Sequence, residues 1–131
     1  MNGLRKSDVL RGYQAFGRVF RRGARLEGKL VRAIVAATPS STPGVLVGFS
    51  VPARAFSAVR RNRLKRLLRT AFLAERGALV QVATERGLEV RVVLFFKGAD
   101  TVEVRRLGAD DLRRELAPLL AAAASARGLR A

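Results

Sequence analysis

The chain contains no histidine and no cysteine among its 131 residues, no tryptophan and a single tyrosine. Without histidine or cysteine it lacks the usual base near neutral pH, any thiol nucleophile, and the ligands on which most transition-metal sites depend. No disulfide framework can form, which fits a reducing cytoplasm. Long apolar runs are missing too. Val92 to Phe96 and Leu116 to Ala124 fall well short of the roughly 20 residues that a membrane span requires, and Arg5, Lys6, Asp8, Arg11 and Arg18 break up the first twenty residues, so no signal peptide is readable. The sequence predicts a soluble, cytoplasmic protein of one domain spanning 1–131, with no membrane partner and no small-molecule substrate.

Acidic residues are scarce, and unevenly so. The chain has 26 Lys or Arg against 10 Asp or Glu, a net charge of +16. Residues 1–74 carry 16 of those cations and only Asp8 and Glu27 as anions, whereas residues 75–131 are nearly balanced at 10 against 8. No acid stands between Glu27 and Glu75. Such an excess requires a polyanionic partner. Arginine supplies 22 of the 26 cations, and its planar fork suits phosphate oxygens and base faces.

Periodicity places the elements. Tyr13, Phe16, Gly17 and Phe20 fall at helical spacing, with Gly23 placed to end that helix. Leu30 to Ala37 is β-rich and runs into a Pro, Ser and Gly loop over residues 38–44. Val45 to Val51 reads as a strand stopped by Pro52. Ser57 to Arg76 is strongly helical, with Gly77 beyond its end. Leu88 to Phe96, apolar in nearly every position of its second half, is expected to be a central strand. Gly108 and Asp110 open a final helix carrying Leu112, Leu116, Leu119 and Leu120. Pro118 is expected to disrupt or kink it, and Ala121 to Ala124 is either a helical extension or the start of a frayed tail, 121–131. One α+β layer of sheet packed by helices is the simplest architecture.

The helix from Ser57 carries the functional signal. At about 100° per residue, Leu64, Leu67, Leu68, Ala71 and Phe72 share an arc of roughly 140°, and Asn62, Arg63, Lys65, Arg66, Arg69 and Thr70 fill the other side. Solvated helix faces usually mix both signs, because like charges at i,i+3 and i,i+4 cost a few tenths of a kcal/mol each. A bound phosphate backbone removes that cost, and in the first turns, where Arg61 stands next to Asn62 and Arg63, the helix dipole favours an anion as well. A second feature is the aromatic row Tyr13, Phe16 and Phe20, amid Arg18, Arg21, Arg22 and Arg25. These rings are either core or a stacking platform, where each base contributes about 1 to 3 kcal/mol. Strand alternation puts Arg32 on one sheet face with Leu30 and Ile34, opposite Val31, Ala33 and Val35. A charge between apolar residues on a sheet face fits the wall of a ligand groove.

Catalytic readings fail. Asp110 and Asp111 open a helix, where adjacent acids usually serve as cap and dipole partners rather than Mg²⁺ ligands. Gly23, Gly28 and Lys29 approach the phosphate-loop pattern, but Leu30 replaces its Ser or Thr and the segment runs from helix to strand, the reverse of the required order.

Ala58, Val59, Arg61, Asn62, Arg63, Lys65, Arg66 and Arg69 reproduce the pattern "AVxRNRxKRxxR", which resembles the protein subunit of bacterial ribonuclease P. Val47 to Val51 is similar to that family's "VGLSV" strand, and Phe16, Val19, Phe20 and Gly23 to its "FxxVFxxG" helix. The resemblance covers about residues 10–75 well. Departures lie in the turn before the helix, where the family's "SKKxGNAV" is replaced by Pro52, Ala53, Arg54, Ala55, Phe56, Ser57, Ala58 and Val59, and at Thr70, where Glu or Gln is common. The resemblance implies a ferredoxin-like or ribosomal protein S5 domain 2-like α+β fold, a single mixed sheet in the order αβββαβα with a left-handed βαβ crossover. It implies a protein that assists a catalytic RNA in removing the 5′ leader of precursor tRNA, with no catalytic residue of its own and with Mg²⁺ held mainly by the RNA rather than by the protein. The implied RNA-binding residues are Arg60, Arg61, Asn62, Arg63, Lys65, Arg66 and Arg69. A leader-binding cleft would include Tyr13, Phe16, Phe20, Arg32 and Ile34, supported by Arg18, Arg21, Arg22, Arg25 and Arg54. The competing reading is a ribosomal or general RNA-binding protein without a role in tRNA processing. A membrane-surface or calmodulin-like helix is disfavoured, because the sheet needs the helix's apolar face as cover.

Overall fold

In the computed structural model the described residues are 23–125. The helix expected around Tyr13, Phe16 and Phe20 lies outside them, as do residues 126–131 of the expected tail. The described elements are β1 (Ala24–Glu27), β2 (Val31–Pro39), β3 (Gly44–Ser50), α1 (Ala58–Glu75), α2 (Gly77–Arg86), β4 (Leu88–Phe96), α3 (Val102–Arg105) and α4 (Ala109–Ala124). The four strands form one mixed sheet in the order β1-β2-β4-β3. β2 pairs antiparallel with β1 and β4, whereas β3 and β4 run parallel. Parallel neighbours require a long crossover, and α1 and α2 supply it.

β4 is central, as its composition predicts, with Val92, Val93 and Leu94 all fully buried. Register divides the sheet into two faces. The pairs Val31–Phe96, Ala33–Leu94, Val35–Val92 and Ala37–Val90 join Leu64, Leu68, Phe72, Leu79, Leu112, Leu116 and Leu120 of the helices in one core. The intervening pairs Arg32–Phe95, Ile34–Val93 and Ala36–Arg91 face the other way, since side chains alternate along a strand.

The structure adds three elements that periodicity does not show. β1 is four residues long, too short for an alternation signal, and was expected only from the family's element order. α3 is a single turn, started by the Thr101 hydroxyl accepting the Val104 N–H at 3.2 Å. The third is α2: Gly77 lies beyond the end of the basic helix, as expected, but opens a second helix that the sequence reading did not include. Arg76 stays right-handed at φ −76°, ψ −8°, and the chain re-enters a helix at Gly77. Leu79 and Ala83, fully buried at i,i+4 spacing, supply a packing gain that exceeds glycine's helix penalty of about 1 kcal/mol. The left-handed cap is Gly87, at φ 63°, ψ 49°, whose N–H bonds the Ala83 carbonyl.

Pro118 does not interrupt α4. Its missing N–H leaves the Arg114 carbonyl without its helical partner, but both residues are exposed, so water can serve that group. The alanine run is helical extension rather than frayed tail, with Ala123 fully buried. Ser125 ends it in extended conformation.

One long-range contact ties α4 to the sheet. Glu115 Oε2 accepts the N–H groups of Leu30, at 2.7 Å, and Val31, closing the β1–β2 hairpin from the side. Gly28 sits against the same carboxylate, where an added Cβ would lie 2.7 Å from Oε2 and 2.9 Å from the Val31 carbonyl. Only glycine fits there. Glu115→Ala leaves two partly buried donors unpaired, so urea unfolding is expected to register a loss of about 1–3 kcal/mol, whereas an exposed change such as Glu85→Ala should stay within about 0.5 kcal/mol.

Candidate nucleic-acid interface

The turn before α1 departs from the family pattern yet forms a well-built helix start. Ser57 is the N-cap, its hydroxyl accepting the Arg60 N–H at 3.3 Å. Phe56 turns inward, 4% exposed, and packs edge-on against Phe96 with ring centroids 5.8 Å apart. The guanidinium of Arg61 reaches back to the carbonyls of Ala53 and Phe56, each at 3.2 Å. The substitution of Ser57 therefore keeps the cap, and Phe56 adds core where the family has glycine.

Along α1, Leu64, Leu68, Ala71 and Phe72 are buried and Leu67 is half-buried, the face that helical spacing predicts. The cationic side is less uniform than it looks in sequence. Arg60 forms an ion pair with Asp100, which also receives the Nε–H of Arg105 at 3.2 Å. Arg63 donates from Nη2 to the Leu107 carbonyl at 2.6 Å. With the contacts of Arg61, three of the expected RNA-binding arginines hold the protein's own chain. The acid that opposes Arg60 is 40 residues away, so a count of local acids misses it.

Asn62, Lys65, Arg66 and Arg69 are different. Among the described residues they make no side-chain hydrogen bond or ion pair, and at about 100° per residue they occupy one arc of roughly 100°. Thr70 bonds the Arg66 carbonyl at 3.0 Å within the helix. The structure thus separates an outward row of one amide and three cations from an inward set of three tethered arginines.

The outer face of the sheet brings together Arg32 and Ile34, as alternation predicts. Ile34 and Val93 are paired and 1% and 0% exposed, yet neither belongs to the helix-side core. The Arg32 guanidinium lies 6.0 Å from the centroid of the Phe95 ring and forms an ion pair with Glu27, which Lys97 also contacts at 2.7 Å. Arg25 lies opposite Ile34 in the register of β1 and β2, and Arg54 is exposed in the turn before α1. Tyr13, Phe16, Phe20, Arg18, Arg21 and Arg22 lie outside the described residues. Phe95, Val93, Lys97 and Glu27 escaped the sequence reading. Pairing β4 with β2 by parity would have found Phe95, but the apolar run hides which of its residues face outward.

Two carboxylates here titrate below their ordinary range. Glu27 is held down by its hydrogen bonds from Lys97 and then Arg32. Asp100 is held down by Arg105 first, its own desolvation acting in the opposite sense, and then by Arg60. Asp110 and Asp111 act at the start of α4: Asp111 accepts the Gly108 N–H at 2.8 Å and Asp110 faces Arg113 at 3.5 Å. Among the described residues no three acids gather as a metal site would require.

A small α+β protein with one mixed sheet and an acid-free cationic row on its main helix carries the electrostatic footprint of the nucleic-acid-binding class. The chain matches the ribonuclease P family profile over residues 4–123. It is 31% identical over 108 residues, 75% of this chain and 74% of the relative, to the ribonuclease P protein component of Chlorobium phaeobacteroides. In fold it is similar to the RNase P protein from Thermotoga maritima, with a TM-score of 0.66 at 23% identity over 85% of this chain and 93% of that one. It is also similar to the Staphylococcus aureus RNase P protein, with a TM-score of 0.62 at 16% identity over 90% and 96%. The chain belongs to the bacterial ribonuclease P protein family, whose members are subunits of a tRNA-processing enzyme.

Because the folded pKa values of Glu27 and Asp100 are depressed, the stability these carboxylates confer is complete above their unfolded values of 4.5 and 3.8. It is lost as pH falls through the lower folded values. Carboxyl ¹³C NMR titration should place both midpoints below those reference values, and Arg105→Ala should raise that of Asp100. Arg63→Ala is expected to lower unfolding free energy by about 1 kcal/mol, whereas Arg66→Ala should leave it within about 0.5 kcal/mol.

Proposed function

We propose that this subunit grips the catalytic RNA of ribonuclease P through α1 and guides the 5′ leader of precursor tRNA along the outer face of the sheet. The observation that carries the reading is the row Asn62, Lys65, Arg66 and Arg69, which has no intramolecular partner among the described residues. A phosphate backbone relieves the repulsion within that row and releases counterions. On the sheet, Arg32 above Phe95 offers a cation and an aromatic face side by side, and in this reading Phe16 and Phe20, placed on a helix by their sequence spacing alone, add stacking surface.

In this reading the hydrolytic step belongs to Mg²⁺ ions bound mainly by the RNA. The protein positions the leader and lowers the charge density that the two RNAs present to each other, and it carries no catalytic residue. Its partners are the catalytic RNA and precursor tRNA, with no small-molecule substrate, and its place is the cytoplasm. No helix of the described residues is long and apolar enough to cross a membrane. Family membership favours this reading over a ribosomal or general RNA-binding role.

Reconstitution tests it. Added to a bacterial ribonuclease P RNA at low Mg²⁺, the protein should stimulate cleavage of precursor tRNA at the mature 5′ end, and an absence of stimulation would refute the assignment. Phe16→Ala or Phe20→Ala should weaken binding of leader-bearing precursor by about tenfold, the equivalent of roughly 1.4 kcal/mol, while leaving mature tRNA nearly unaffected. Equal weakening of both would remove the cleft from the account.

A further inference from the structure

The ion-paired end of α1 borders a cavity that the leader cleft and the outward row do not include. It is half-open, about 210 Å³ in volume, and lies between the first turns of α1 and α3. Its floor is apolar, made by Phe56, Leu64 and Val104, which are 4%, 2% and 6% exposed. Around it stand the guanidinium groups of Arg60, Arg63 and Arg105 and the carboxylate of Asp100. Drug-sized ligands occupy sites of about 300–1,000 Å³, so this one has room for a single flat ring system.

We propose that this cavity receives one unpaired guanine of an RNA partner, with its Watson–Crick edge on Asp100. The inference rests on the RNA-binding reading above. Asp100 fixes the choice of base. Its Oδ2 accepts from Arg60 and its Oδ1 from Arg105, which sets the carboxylate plane from two sides. A carboxylate has about four acceptor positions, so each oxygen keeps one. Guanine presents two adjacent donors on that edge, N1–H and the N2 amino group, which match two parallel acceptors. Adenine and cytosine each set a ring-nitrogen acceptor beside their amino group, and that lone pair would face the carboxylate. Uracil flanks its one N–H with two carbonyl oxygens. The apolar floor takes the ring faces, and arginine planes can stack on a splayed base while their remaining N–H groups meet its phosphate.

The ion pairs also explain why an anion is tolerated in a phosphate-binding surface. Alone, Asp100 would repel RNA. Between two guanidinium groups it stays ionised, and the cluster as a whole remains cationic.

The full chain should be titrated with 5′-GMP, AMP, CMP and UMP while backbone amide NMR shifts are followed. GMP is expected to move the amides of Thr101, Val104 and Arg105 and to bind at least tenfold more tightly than the other three. Asp100→Asn, which replaces one acceptor by a donor, should abolish that preference. Val104→Phe fills the floor without touching the ion pairs and should remove the GMP response with circular dichroism unchanged. Equal responses to all four nucleotides would mean that the arginines bind phosphate alone, and the proposal fails. It fails equally if Asp100→Asn keeps the preference for GMP. Filter binding to ribonuclease P RNA separates the two levels: tight RNA binding without a GMP preference removes only the guanine site, whereas no RNA binding removes the reading beneath it.

Discussion

Leu64, Leu68, Ala71 and Phe72 hold one face of α1 against the sheet and α4, and the surface offered to RNA follows from that docking. Full burial of a large apolar side chain is worth about 1.5–3 kcal/mol, whereas each like-charge contact along the exposed side costs only a few tenths. The apolar face therefore fixes the orientation of the helix, and the cations must accept their places. Phe72 adds an edge-on contact with Phe49 of β3, centroids 6.4 Å apart, which anchors the helix to the sheet's edge strand.

Within the cationic side the structure divides labour by position. The first turns are knitted to neighbouring chain: Arg61 to the preceding turn, Arg60 to Asp100, and Arg63 to Leu107. These contacts stiffen the end of the helix where three arginines crowd together. The next turns leave Lys65, Arg66 and Arg69 facing outward. A side chain already held by its own protein contributes to RNA binding chiefly by charge and placement, while an untethered one can adapt to a phosphate.

Much of this was legible in the sequence because it is local. The β2, β3 and β4 boundaries fall within about two residues of where alternation and punctuation place them, and α1 was visible from its apolar arc. What was not legible depends on contacts distant in sequence. Asp100 neutralises Arg60 from across the crossover, and Glu115 caps the β1–β2 hairpin from α4; neither leaves a mark near its partner. The second helix that starts at Gly77 went unseen for a related reason, since the burial of Leu79 and Ala83 decides the conformation there. Phe95 was hidden because β4 is apolar on both faces, so its outward residues emerge only once the β2–β4 register is known.

The division of labour along α1 requires that the outward row be the part of the helix that touches phosphate. Its most direct test is the salt dependence of binding to ribonuclease P RNA for the double variant Arg66→Ala, Arg69→Ala. Each lost phosphate contact lowers the log–log slope by about 0.7 to 0.9, so the pair should reduce it by about 1.4 to 1.8 with thermal stability unchanged. A slope equal to that of the unaltered protein would show that these side chains do not meet the RNA backbone, and the division of labour along α1 would be wrong.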